Sequence, residues 1–185
     1  MKRDKVVITG LGTLAPNGND TNQFWNSLIS SKSGIVPITY FDSSDHRVSI
    51  AGQLSNFTPE KFLSSKQIRK LDPFSIYALV ASQEAISMSG LDLNKINLDK
   101  AGVTIGTGVG GIQTLEEQHS IIKDKSARRV SPQFVPKMIS NIAGGQLSIK
   151  WGLRGPNQTI TSACASANDA IGLAMRLILA GDAEI

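Results

Sequence analysis

The sequence predicts an α/β domain with a mainly parallel sheet, because short β-branched runs alternate along the chain with segments of helical character. The first run is "KVVITG", residues 5–10, which a glycine closes and which we expect to form a buried strand. Residues 101–111, "AGVTIGTGVGG", predict a second strand that enters a glycine turn. The third predicted strand is "NQTITSA", residues 157–163. Alternation of this kind is typical of parallel sheets connected by helices.

Capping residues and apolar spacing predict the helices. Residues 19–34 carry Asp20 or Thr21 as an N-cap and Gly34 as a stop. Pro73–Ser89 is the strongest helix prediction, because a proline opens it and a glycine follows it. Three further helices are expected at residues 112–123, about 135–150, and 166–180.

The remaining segments predict irregular structure and one more strand. Residues 35–54 are typical of loop and edge-strand material. The last residues, 181–185, leave a helix and are expected to begin another strand. A core strand that stops there would leave its neighbours with an unpaired edge. We therefore expect the chain to be a fragment of a larger domain.

Composition excludes several function classes. The 185 residues are 41% hydrophobic and 18% charged, which favours a folded protein over a disordered one. The net charge is +4, but the lysines and arginines are scattered, so we expect no nucleic-acid partner. No run approaches the about 20 apolar residues of a membrane span, so no membrane partner is expected either. A single cysteine cannot form an internal disulfide, which favours a cytoplasmic location.

Cys164, the only cysteine, lies between a predicted strand and a predicted helix. A lone cysteine is more often a small buried apolar residue than a nucleophile. At this junction, however, free backbone N–H groups and the positive end of the helix dipole favour the thiolate. Its neighbours are small, so that a substrate could approach closely. The arrangement predicts a nucleophile on a tight turn beside oxyanion-stabilising N–H groups.

A nucleophilic cysteine usually needs a histidine to handle its proton. The chain has two, His46 in a polar loop and His119 on the helix predicted after the glycine turn. No motif surrounds either of them, so ordinary surface or packing roles are expected.

Two glycine motifs offer a rival interpretation, a dinucleotide site. Residues 10–15 match G-x-G-x-x-A and residues 106–111 match G-x-G-x-x-G, each after a predicted strand. Residues 16–18 of the first interrupt the helix that should carry the pyrophosphate. The second lacks an acidic residue at a strand end about 20 residues later, since Asp124 lies at a helix end. Tight turns explain both motifs better.

Basic residues cluster at 66–70, "KQIRK", and at 127–129, "ARR". Such clusters are commonly solvated helix faces and charged loops. They can also form a docking patch for an acidic partner, because charge complementarity raises the rate of encounter.

Taken together, five segments resemble the β-ketoacyl-[acyl-carrier-protein] synthases of the condensing-enzyme family, in its fatty-acid-elongating branch. They occur in the family's order and are "VVITGLGTLAPNGN", "QIRKLDPFSIYAL", "GTGVGGI", "SPQFVPKMISNIAGGQLSIKWGLRGPN" and "TSACASANDAIG". The resemblance implies a thiolase-like fold, two similar halves in a five-layer α/β/α/β/α sandwich. Residues 1–185 would be the N-terminal βαβαβαβ(β) half, with the C-terminal half absent.

The resemblance also implies the chemistry. The cysteine that matches Cys164 accepts an acyl group as a thioester and condenses it with decarboxylated malonyl-carrier protein, with no metal or organic cofactor. Val109 and Phe134 match acyl-pocket residues, Phe134 at the pocket of a partner subunit in a homodimer. The residues that match positions facing the acidic acyl-carrier protein are Lys66, Arg69, Lys70, Arg128 and Arg129.

The resemblance leaves part of the machinery unaccounted for. The family's two catalytic histidines and a supporting lysine belong to the second half, and His46 and His119 do not match them. We therefore expect this chain alone to be inactive in condensation. The alternative is a non-catalytic half-domain that binds acyl-carrier protein or dimerises. A polyketide or thiolase-like branch is disfavoured by the basic residues and by the context of Cys164.

Overall fold

The structure, a computed structural model, describes residues 5–185. The described chain divides into two compact units. The first comprises the described residues up to Ile8, Leu63–Leu79 and Leu91–Ile185, and the second comprises Thr9–Phe62 and Val80–Gly90.

The first unit is built on two parallel strands. β3, Val103–Gly106, pairs with β4, Asn157–Ile160, with Val103 opposite Asn157 and Gly106 opposite Ile160. Parallel strands need a long crossover, and here helices supply it. The three helices between them are α4, Ile112–Asp124, α5, Phe134–Met138, and α6, Ile142–Trp151. The predicted strand–helix alternation and parallel pairing are confirmed in this unit.

Small residues allow the helices to pack closely on these strands. α7, Ser166–Ala180, follows β4 and packs against β3, and α6 contacts both strands. Ala143 of α6 is fully buried and Ala170 of α7 is 5% exposed. Gly181, in the left-handed region at φ 79°, ends α7, as its sequence predicts.

A second layer of this unit comes from the segment before Leu79. α2, Ser65–Ile68, begins with a capping box formed by Ser64 and Gln67. α3 spans Pro73–Ser89, the predicted bounds, and Gly90 follows it with φ 67°. Apolar side chains around these helices form the core, namely Leu63, Leu71, Ile76 and Leu79.

The second unit contains a helix and a small hairpin. α1, Thr21–Ile29, has Asp20 as its N-cap, because the carboxylate accepts the Gln23 N–H. The helix ends at Ile29 and not at the predicted Gly34, since the chain turns at Ser31 with φ 54°. β1, Ile35–Pro37, pairs antiparallel with β2, Ile50–Gly52, which confirms the predicted edge strands.

The N-terminal strand prediction is wrong for this structure. Residues 5–10 have no strand, and Val7 and Ile8 are 69% and 73% exposed. A strand requires a neighbour that receives its backbone hydrogen bonds, and none of the strands within residues 5–185 pairs with this run.

Two further boundaries differ from the sequence predictions. The helix expected at 135–150 is interrupted, because Ile139 is extended, with φ −59° and ψ 139°, between α5 and α6. Residues 182–185 form no strand, yet they run beside the start of β3. The Glu184 N–H donates to the Lys100 carbonyl and the Gly102 N–H to that of Ile185, each at 2.8 Å.

Within residues 5–185, one helical stretch, Ala163–Ala180, is long and apolar enough to cross a membrane by length and composition. The expectation that no stretch reaches this length is therefore wrong here. A core helix of a water-soluble protein meets the same criterion. Asp169 and Arg176 lie inside the stretch, and charges are costly in a bilayer.

Candidate active site

Cys164 lies on the turn that joins β4 to α7, as the sequence predicts. A short 3-10 turn, Ala163–Ala165, separates the two elements, and the cysteine side chain is exposed. Ala163 has φ 51°, in the left-handed region that residues other than glycine seldom adopt. Backbone strain of this kind concentrates at functional sites.

Hydrogen bonds hold the turn on both sides of the cysteine. The Ser166 hydroxyl accepts the Ser162 N–H at 2.9 Å and donates to the Ala163 carbonyl at 2.7 Å. The Ser162 hydroxyl in turn donates to the Asp169 carboxylate on the first turns of α7. The thiol is therefore presented by a backbone with a defined path.

The loop that follows β3, residues 106–111, is here called the glycine loop. The parallel pairing places it at the same edge of the sheet as the Cys164 turn. β3 and β4 both end there, and the Thr107 N–H donates to the Ile160 carbonyl at 3.1 Å. The Thr107 carbonyl lies 3.4 Å from the Ser166 hydroxyl. Val109, 62% exposed, follows in this loop, so Val109 and Cys164 lie on adjacent loops.

Phe134 begins α5 and is half-buried. Two hydrogen bonds connect its segment to the glycine loop and to α4. The Gly111 N–H donates to the Met138 carbonyl at 2.9 Å, and the buried Gln118 side chain accepts the Ser131 N–H at 2.7 Å. The two acyl-pocket candidates therefore lie on segments that are hydrogen-bonded to each other.

The five basic candidates are exposed and belong to the first unit. Lys66 lies on α2, and Arg69 and Lys70 follow directly. Arg128 and Arg129 lie on the 3-10 turn after α4. Among the residues of the described chain, none of the five forms an ion pair with a carboxylate. Their charge is thus available to an acidic partner.

The histidines are placed as expected for ordinary residues. His46 lies in a loop of the second unit, and its ring meets that of Phe41 edge to face at 5.4 Å between centroids. His119 is exposed on α4. In the part of the chain that the structure describes, no group of three or more histidine, cysteine or acidic residues could hold a metal ion.

The dinucleotide interpretation is weakened by the start of α4. The N–H of Thr114, in its first turn, donates at 2.9 Å to the carboxylate of Asp72. A negative group already lies where a pyrophosphate would bind. In the other motif, a Cβ on Gly12 would meet the Ala81 carbonyl oxygen at 1.8 Å, so this glycine permits close packing.

Sequence reasoning missed the residues that hold the site. Ser162, Ser166 and Asp169 bind the turn, and Asp72 caps the helix after the glycine loop. A signal existed for Ser166 and Asp169, because both lie in the first turns of the predicted helix. No local signal connects Asp72 with Thr114.

The comparisons with known proteins agree with this geometry. The family profile of the beta-ketoacyl synthase N-terminal domain matches residues 3–185. The chain is 41% identical over 184 residues to 3-oxoacyl-[acyl-carrier-protein] synthase 2 of Synechocystis sp., covering 100% of the chain and 44% of that protein. It is 43% identical over 180 residues to the protein of the same name from Staphylococcus aureus, covering 97% of this chain and 44% of that protein.

Solved structures show the same fold. The ishigamide ketosynthase/chain length factor superposes with a TM-score of 0.87 at 23% identity, covering 98% of this chain and 45% of that one. A second structure is a type II polyketide ketosynthase that is bound to a hexaketide and is in complex with its acyl-carrier protein. It superposes with a TM-score of 0.79 at 26% identity, covering 96% of this chain and 47% of that one. These likenesses confirm the expected thiolase-like α/β fold.

The chain spans less than half the length of the curated relatives that it matches. The match nevertheless runs through nearly every residue of the chain and includes the strand–turn–helix segment that carries Cys164. The chain therefore belongs to the beta-ketoacyl synthase family, whose N-terminal domain it matches.

Proposed function

We propose that residues 1–185 form the N-terminal half of a fatty-acid-elongating 3-oxoacyl-[acyl-carrier-protein] synthase, with Cys164 as its acyl-accepting nucleophile. The observation that carries the proposal is the exposed thiol on a strained turn between a parallel strand and the helix α7. Two relatives over 40% identical carry the name of this synthase.

The position of Cys164 suits acyl transfer. Cys164 lies directly before the N-terminus of α7, and its small neighbours Ala163 and Ala165 leave room for a substrate. The sulfur attacks the carbonyl carbon of an acyl-carrier thioester, and the carrier leaves as its thiol after taking up a proton. Backbone N–H groups, including that of Cys164, stabilise the oxyanion that forms on the way.

Condensation then consumes the enzyme-bound thioester. Malonyl-carrier protein loses CO2, and the electron pair of the broken bond becomes an enolate. The enolate carbon attacks the Cys164 thioester, which gives a 3-oxoacyl chain two carbons longer and frees the thiolate. Val109 and Phe134 would line the acyl pocket, Phe134 from the partner subunit of a homodimer.

The remaining catalytic groups would come from the rest of the domain. Two histidines and a lysine belong to the second half in this family, and the length of the relatives leaves room for it. One face of α7 is apolar and exposed, and the rest of the domain would cover it. The exposed fractions on this face are 61% for Ile171, 45% for Met175 and 51% for Leu179. We therefore expect the 185-residue chain alone to be poorly soluble and to form no 3-oxoacyl product.

Acyl-carrier protein is the proposed partner. A structural neighbour is a ketosynthase in complex with its carrier protein, and the exposed basic residues of the first unit suit an acidic surface. Lys66, Arg69, Lys70, Arg128 and Arg129 would form the docking patch. We place the reaction in the cytoplasm, where a thiol remains reduced.

The test is single-turnover acylation of the protein at its native length. The wild type is mixed with acyl-carrier thioester and its intact mass is measured by mass spectrometry, with Cys164→Ala as the control. We expect one acyl group on the wild type and none on the variant. A wild-type thiol that takes up no acyl group and is no more reactive than free cysteine would favour a non-catalytic, carrier-binding half-domain.

A further inference from the structure

The turn around Cys164 needs something to hold it. Ala163 is left-handed, a conformation that costs energy for an L-residue with a Cβ. Cys164 itself is exposed, so packing of its own side chain does little to fix the turn. The surrounding contacts must therefore stabilise this backbone.

The contacts converge on one hydroxyl. Ser166 is 3% exposed, and its Oγ accepts the Ser162 N–H from before the cysteine while donating to the Ala163 carbonyl. A hydroxyl is the smallest group that does both. Without it, a backbone N–H and a carbonyl of the turn lose their partner at a partly buried position, which destabilises the turn.

The same hydroxyl connects the turn to the sheet. Ser166 Oγ lies 3.4 Å from the Thr107 carbonyl, just after β3. A Cβ on Gly106 would meet the Ser166 carbonyl oxygen at 2.3 Å, so Gly106 allows this approach. On the exposed side of the turn, the Ser162 hydroxyl donates a second hydrogen bond to the Asp169 carboxylate. The Ser166 hydrogen bonds are partly buried, so they compete less with water than the exposed Ser162–Asp169 bond and have the larger effect.

We propose that Ser166 is a positioning residue whose buried hydroxyl holds the Cys164 turn in its left-handed conformation and so fixes the thiol at the N-terminus of α7. The inference rests on the proposed role of Cys164 as the nucleophile. Ser166 takes no part in bond making. Its effect on the reaction passes through the backbone of residues 162–164.

The test uses Ser166→Ala and Ser166→Thr in the protein at its native length, with Ser75→Ala as the matched control. Ser75 is also a buried serine, and its hydroxyl has no hydrogen-bond partner among residues 5–185. Two quantities are measured, the hydrogen-exchange rate of the Ser162 amide and the rate of Cys164 alkylation by iodoacetamide. The Thr107 amide, which donates to Ile160, is the internal reference for exchange.

We expect Ser166→Ala to speed exchange at Ser162 at least about fivefold, the factor that one net hydrogen bond represents, with Thr107 unchanged. Alkylation of Cys164 should slow by a similar factor. Ser166→Thr keeps the hydroxyl and should restore both rates, and Ser75→Ala should change neither. Unchanged exchange in Ser166→Ala, or changed exchange with unchanged alkylation of a reactive thiol, would overturn the proposal.

A second variant covers a Ser166→Ala protein that folds poorly. Ala163→Gly adopts the left-handed conformation without strain, so added to Ser166→Ala it should recover part of the lost alkylation rate. No recovery would contradict a role in holding that conformation. If wild-type Cys164 reacts no faster than free cysteine, the proposed function fails, while the exchange rate of Ser162 still decides the role of Ser166.

Discussion

The carboxylate of Asp72 accepts hydrogen bonds from both the N–H and the hydroxyl of Thr114, at 2.9 and 2.7 Å, although 42 positions separate the two residues. The other oxygen of Asp72 accepts the Phe74 N–H at 3.1 Å. Asp72 is only 2% exposed. One buried carboxylate therefore caps two helices, α3 and the helix that follows the glycine loop.

Replacing Asp72 should cost stability. Asp72→Ala leaves the N-terminal N–H groups of two helices without an acceptor, so we expect the free energy of unfolding to fall by about 2–3 kcal/mol. Thr114→Val removes only the hydroxyl bond and should cost about 1 kcal/mol. Urea denaturation measures both, with the exposed Asp92→Ala as the control. Equal midpoints for Asp72→Ala and Asp92→Ala would contradict the double cap.

The glycine loop offers a matched pair of substitutions. A methyl group on Gly106 would lie 2.3 Å from the Ser166 carbonyl oxygen, whereas one on Gly108 would meet no heavy atom of the described residues within 4 Å. We expect Gly106→Ala to lower the free energy of unfolding by about 1–3 kcal/mol and to slow Cys164 alkylation. Gly108→Ala should stay within about 0.5 kcal/mol of the wild type. Similar thermal midpoints for the two variants would disprove the close approach.

Charge reversal should separate carrier docking from chemistry. In the protein at its native length, we expect Lys66→Glu, Arg69→Glu and Arg128→Glu each to raise KM for the acyl-carrier protein about tenfold and to leave kcat for a small acyl thioester unchanged. Added salt should reduce the difference in KM between each variant and the wild type, because salt screens exposed charges. Lys61→Glu, an exposed lysine of the second unit, is the control. If Lys61→Glu has the same effect, net charge is responsible and no docking patch is needed.

Acid should weaken one ion pair in a predictable direction. Arg154 Nε donates to Asp99 at 2.5 Å, and this bond, followed by the charge of Arg154, lowers the pKa of Asp99 below its ordinary value. The stabilisation is therefore present above the unfolded-state pKa and is lost as pH falls through the lower folded-state value. Arg154→Met should reduce the loss of Tm between pH 5 and pH 3, by a small amount because both side chains are exposed. Arg176→Met is the control, and an equal acid response in both variants would refute the assignment.

Local signals predicted the elements that local chemistry decides. The bounds of α3 agree with the sequence to the residue, because a proline at its start and Gly90 after its end act without long-range contacts. The strand–turn–helix setting of Cys164 was predictable for the same reason. The strand expected at residues 5–10 did not form, since a strand depends on a partner that no local pattern reveals.

The contacts that hold the site could not be predicted. Asp72 caps its own helix in a way that its position before Pro73 suggests, but its bonds to Thr114 depend on how the chain folds back. The Ser166 hydroxyl likewise finds its partners only when the turn is left-handed at Ala163. The break at Ile139, by contrast, lies between Pro136 and Asn141, residue types that favour helix termini, so the sequence carried a signal that the prediction of one continuous helix overlooked.

The parallel pairing of β3 with β4 also determines when the proposed nucleophile can reach its folded setting. All of α4, α5 and α6 must be synthesised before β4 reaches its partner, and contacts so distant in sequence form slowly. Domains fold largely in the order in which the ribosome delivers them. On a growing chain, the turn that presents Cys164 therefore cannot form until β4 and the first turns of α7 have emerged and docked, and the reactivity that we propose for the thiol is delayed until the sheet that supports it exists.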